Sequence, residues 1–139
     1  MAANPDLVAA VKRIAAVART GELDQAYNGY RDLFASEAFL TYRPEDQRQA
    51  LRLMILAKNA PRTPTPTMAE AHRAAVEALN ELVSSHEEPA DYEMLGICHV
   101  VLGNEASAST IFRRGLALER ERNASSDLCG QLLKRISFL

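Results

Sequence analysis

The spacing of apolar residues constrains this chain more than any other feature. Nowhere do apolar and polar residues alternate for six positions, as a half-buried strand requires, whereas apolar residues recur three and four apart almost throughout. With only 6% aromatic residues and abundant alanine, the sequence predicts an all-α fold. Asn4 is a candidate N-cap, with Pro5 at the first helical position, where its missing N–H costs nothing. Leu7, Val11, Ile14 and then Val17 or Ala18 form one stripe, and Gly21 ends the helix as a residue that tolerates positive φ. A second helix opens near Glu22 with Leu23, Ala26, Tyr27, Tyr30 and Phe34 on adjoining faces. Pro44, Glu45 and Asp46 open a third, with carboxylates at the positive end of its dipole and a stop near Lys58 or Asn59. The prolines of Pro61-Arg62-Thr63-Pro64-Thr65-Pro66-Thr67 exclude a helix interior there. Thr67 and Glu70 then read as a capping box opening a fourth helix to about Ser84. Glu87-Glu88-Pro89 opens a fifth helix ending at Gly103, and Asn104 caps a sixth running to about Arg122. After a weak break at residues 123–126, Leu128, Leu132, Leu133 and Ile136 mark a short seventh. The loops are mostly short, which predicts antiparallel packing of successive helices.

A chain of 139 residues that is 47% hydrophobic and 24% charged is expected to form one packed domain, residues 1–139, rather than a disordered segment. A net charge of −2 gives no general attraction toward nucleic acid or an anionic membrane. No apolar run approaches the roughly 18 to 20 residues needed to span a bilayer. Met1 to Asp6 lack a basic region leading into an apolar core, so the expected location is cytoplasmic. Cys98 and Cys129 are too few for a disulfide scaffold and are expected to be small buried hydrophobes.

Residues able to do chemistry are scattered. His72, His86 and His99 have no partner at metal-ligand spacing, and Cys98 and His99, as helical neighbours, point about 100° apart. No nucleophile elbow, phosphate-binding loop or dinucleotide fingerprint is found. The expectation is a protein that is not an enzyme, with no catalytic residue, no metal and no cofactor. Arg113, Arg114, Arg120, Arg122, Lys134 and Arg135 are the most basic stretch, but acids intervene and no aromatics are interleaved for base stacking, so a solvated helix face is expected rather than nucleic-acid binding. Thr63, Thr65 and Thr67, two of them followed by proline, read as a stiff spacer, with phosphorylation beside a helix N-terminus as the alternative.

Two segments repeat. Gly21-Glu22-Leu23-Asp24-Gln25-Ala26 is followed four residues later by Tyr30, and Gly103-Asn104-Glu105-Ala106-Ser107-Ala108 is followed four residues later by Phe112. Glycine supplies a tight turn, alanine lets two helices approach, and the aromatic fills the gap one turn further on. Here the chain resembles the tetratricopeptide repeat family. Tyr92, Leu95, Gly96, His99, Gly103, Ala108, Phe112 and Gly115 fall at that family's signature spacing, with His99 in place of the usual tyrosine and Gly115 in place of a small alanine. In the first unit Arg13 and Ile14 stand where the family prefers leucine and glycine. The middle unit departs furthest, because the Pro/Thr loop inserts residues and stretches the Gly21–Gly103 separation beyond two 34-residue periods. The resemblance implies a right-handed superhelix of three antiparallel helix pairs, over about residues 5–37, 44–85 (loop insertion at 59–67) and 89–122, with a capping helix at 125–138.

The resemblance also implies that function sits on a concave face lined by the first helix of each pair. Its groove spacing falls on Val8, Val11, Ala15 and Ala18 in the first unit, on Arg48, Leu51, Ile55 and Lys58 in the middle unit, and on Glu93, Ile97, Val100 and Val101 in the third. The lysines and asparagines with which the family clamps a terminal carboxylate are missing from the first and third units. An apolar groove suits an amphipathic helix or hydrophobic segment of a partner protein. The alternatives are coverage by the seventh helix or by a second copy in a homodimer and, more distantly, a small ligand or nucleic acid. Glutamates at Val11 and Ile97 are expected to abolish partner binding without lowering the melting temperature, if both positions are surface.

Overall fold

The computed structural model describes residues 4–139, so the reading of Met1 to Asp6 extends in part outside the described residues. The described residues form α-helices and one 3-10 turn, with no strand. The helices are α1 (Pro5–Arg19), α2 (Leu23–Ala35), α3 (Pro44–Ile55), α4 (Pro66–His86), α5 (Pro89–Val101), α6 (Glu105–Asn123) and α7 (Asp127–Ser137), and the 3-10 turn is Phe39–Thr41. No helix among them is long and apolar enough to cross a membrane. Two compact units divide within α4, one ending at Ala78 and the other beginning at Leu79.

In the first unit, the side chain of Asn4 accepts from the N–H groups of Asp6 (2.8 Å) and Leu7 (3.3 Å), with Pro5 at the first helical position. These bonds satisfy two donors that the first turn leaves free. At the other end of α1, Gly21 takes φ +85° and turns the chain into α2. The two helices meet closely: a Cβ on Gly29 would lie 2.8 Å from Cγ1 of Ile14. Tyr27, Tyr30 and Phe34 make up the buried face of α2 together with Ala26. Tyr30 stacks on Phe34 with ring centroids 5.7 Å apart, Phe34 meets Phe39 edge-on at 5.1 Å, and Phe39 meets Tyr42 edge-on at 6.1 Å. The 3-10 turn, which helical periodicity does not register, places Phe39 in the core, where it is fully buried.

α3 is shorter than its sequence suggests, closing at Ile55 with Leu56 as C-cap. Its N-terminus is braced by Arg43, whose Nε and Nη2 donate to the Asp46 carboxylate at 2.9 and 3.1 Å. The capping box expected at Thr67 and Glu70 is not formed. Thr65 caps α4 instead, its Oγ1 accepting from the Met68 N–H at 3.2 Å, with Pro66 opening the helix. The Thr67 hydroxyl donates to Asp24 at 2.6 Å, and Glu70 receives Arg31 at 3.1 Å. These bonds make two of the three loop threonines structural and fasten α4 to α2. His72 is buried beside Tyr27, with Nδ1 2.8 Å from the Met68 carbonyl oxygen, and burial lowers its pKa, which favours the neutral imidazole.

The second unit is assembled on two close approaches between α5 and α6. A Cβ on Gly96 would overlap the ring of Phe112, and one on Gly115 would lie 2.8 Å from the Tyr92 Cβ and 3.3 Å from the Pro89 carbonyl oxygen. Gly103 turns α5 into α6 at φ +80°. Asn104 occupies the N-cap position of α6, but its side chain makes no capping bond. Ser126 does cap α7, accepting from the Cys129 N–H at 3.3 Å. Cys129 and Leu132 of α7 join Ala108, Phe112 and Leu116 of α6 in one cluster, with Ile97, Leu128 and Ile136 packed against it. A 2.7 Å ion pair between Arg135 and Glu93 ties α7 to α5. Cys98 and Cys129 are both buried and unpaired as thiols.

Candidate functional site: an apolar cleft between α1 and α3

Two adjoining depressions open along α1, within the first unit. One, of about 260 Å³, is lined by Leu7, Val8, Val11 and Lys12 of α1 and by Asp46, Gln49, Ala50 and Leu53 of α3. The next, of about 190 Å³, takes Ala15, Ala18 and Arg19 from α1, Leu53, Met54 and Ala57 from α3 and its end, and Ala26, Tyr27 and Tyr30 from α2. Leu53 lines both, and they read as one cleft. Its apolar lining is accessible, since Val8 is 37% and Leu53 49% exposed. Alanines at positions 15, 18 and 57 keep the floor open, because they fill little space between the larger side chains.

All four α1 residues expected in a groove, Val8, Val11, Ala15 and Ala18, line this cleft. The α3 set requires correction. Leu51 is fully buried and Ile55 nearly so, Arg48 is half-buried, and Lys58 lies beyond the helix end. The α3 residues that face the cleft are instead Asp46, Gln49, Ala50, Leu53 and Met54, with Ala57 just past the helix. Residues 50–56 are apolar at every position except Arg52, so spacing alone does not select the exposed edge. Burial of Leu51 turns Leu53, roughly 200° away around the helix, toward solvent.

The α5 set is divided by its packing. Glu93 is buried and holds Arg135, and Ile97 packs against the α6–α7 cluster. Val100 is exposed and Val101 half-buried. Ile97 is therefore packed on one side, and a glutamate there would disturb the core of the second unit as well as any surface. The surface substitution that isolates the cleft is at Leu53.

Burial pushes the Cys98 thiol far up, out of the range of a nucleophile. His99 is shifted down by partial burial. No group of three or more His, Cys, Asp or Glu among the described residues is placed to hold a metal ion. Within the basic stretch, Arg114 reaches Glu87 at 3.2 Å, Arg122 reaches Glu88 at 3.0 Å, and Arg113 donates to Ser109 at 3.1 Å. Compared with protein-family models, curated proteins and solved structures, the chain finds no match.

Proposed function

We propose that the chain is a non-enzymatic, cytoplasmic interaction module that receives a helical or hydrophobic segment of a partner protein in the α1–α3 cleft. The observation that carries this reading is an open apolar cleft along α1 and α3, with Leu53 half-exposed at its centre. Its architecture is proposed to be a tetratricopeptide-like stack of antiparallel helix pairs capped by α7. The close contacts of Gly96 with Phe112 and of Gly115 with Tyr92 support it, because they join residues that the repeat spacing singles out.

A second reading, a homodimer with the cleft occupied by another copy, is favoured by the apolar outer edge of α7 and the residues after it. Leu133 is 47% and Phe138 77% exposed there. Sedimentation and affinity capture separate the two readings. Wild type and Leu53→Glu are expected to melt within a few degrees of each other, since an exposed substitution changes stability by no more than about 0.5 kcal/mol. The wild type is expected to sediment as a monomer and to retain a host protein that the variant loses. Capture of the same set by both would refute the cleft as the docking surface. A wild-type dimer dissociated by Leu53→Glu would support self-occupation.

A further inference from the structure

Charge around the cleft is lopsided. Lys12 and Arg19 lie on its lining seven residues apart on α1, hence on one edge of that helix. Neither they nor their neighbour Arg13 is paired with a carboxylate among the described residues. The one acid on the lining, Asp46, is buried and already neutralised by two hydrogen bonds from Arg43 at 2.9 and 3.1 Å. Glu45, which follows Pro44 in the first turn of α3, also approaches Arg43, at 3.6 Å. The acids of α1 and α3 are thus confined to first turns, and the two cations on the lining, Lys12 and Arg19, lie further along α1. From Val8 to Ala18 the cleft follows about 15 Å of helix, or three turns.

We infer that the cleft is built for an acidic amphipathic helix of about three turns from another protein, its apolar edge on Val11 and Leu53 and its side-chain carboxylates beside Lys12 and Arg19. This inference rests on the α1–α3 cleft being the docking surface. A second copy of this chain fits less well: α7, which carries the exposed Leu133, has no acid after Asp127 and places Lys134 beside Leu133. The contact is made by side-chain carboxylates spread along a helix and does not depend on a chain terminus. Complementary charge of this kind selects the partner and speeds encounter more than it deepens affinity, and it weakens as salt screens it.

The test uses three fluorescent 14-residue peptides with amidated C-termini and the same leucine stripe, whose polar positions are all Glu, all Gln or all Lys. Fluorescence polarisation against the full chain is expected to rank them Glu over Gln over Lys. At low salt, Glu and Lys should differ by about tenfold, and the gap should shrink toward parity in high salt. Lys12→Glu with Arg19→Glu should invert the order, whereas Leu53→Glu, which removes an apolar contact and adds a negative charge, should weaken the Gln peptide and the Glu peptide still more. If the three peptides bind equally well and Leu53→Glu still abolishes binding, the acidic-partner inference is overturned while the cleft reading stands. If none binds, or Leu53→Glu changes nothing, the cleft reading falls and this inference with it.

Discussion

Replacing Gly96 with alanine should destabilise the protein by about 1–3 kcal/mol, although alanine is the better helix former by about 1 kcal/mol. The reason is the ring of Phe112, which occupies the space a Cβ would need. Phe112 is itself almost completely buried, at 1% exposed, and Phe112→Ala should cost about 3–5 kcal/mol. The decisive comparison is the double variant. With the ring removed, the added methyl enters free space and the helical preference of alanine is all that remains. Gly96→Ala should therefore change sign and stabilise the Phe112→Ala protein by about 1 kcal/mol. Urea denaturation of the four proteins reads the cycle directly. An equal effect of Gly96→Ala in both backgrounds would mean that close approach of α5 and α6 is not why glycine stands there.

The second large effect is expected at the ion pair between Glu93 and Arg135. The Glu93 side chain is 7% exposed and that of Arg135 34%, at a separation of 2.7 Å. Arg135→Ala leaves a buried carboxylate without its counter-charge. The cost should be about 2–3 kcal/mol, below the 3–5 of a fully buried pair because Arg135 reaches solvent. Glu93→Leu combined with Arg135→Leu should recover most of that loss, since two apolar residues need no desolvated partner. Hydrogen exchange should show the Arg135→Ala damage concentrated in α7, where amides after Ser126 lose protection first. A loss below about 0.5 kcal/mol, within the range of an ordinary surface change, would mean that the pair does not hold α7 in place.

How far the sequence foretold this depends on whether a signal was local. The Asn4 cap with Pro5, and the turns at Gly21 and Gly103, are set by residues within a few positions of each other, and the structure places positive φ at both glycines. Gly96 and Phe112 were marked by repeat spacing, and they meet. The register of α3 was not legible, because residues 50–56 are apolar nearly all the way round and the choice between Leu51 and Leu53 is made by what packs against them. The Pro/Thr loop disguised the start of α4 for a different reason. Thr65 and Thr67 are both able to cap, and only the distant Asp24, which accepts from Thr67, leaves the capping to Thr65. Glu93 was expected to face a partner. Its pairing with Arg135, 42 residues away, depends on the docking of α7, which no short-range pattern encodes.

The measurement that bears most directly on the proposed function is methyl NMR of the full chain, titrated with the all-Glu peptide. Shifts are expected at Val8, Val11 and Leu53, on the two walls of the cleft, with Val100 and Leu133 unmoved. Shifts confined to Val100, Leu133 or other methyls of α5–α7, with Val8 and Leu53 silent, would contradict the proposed function.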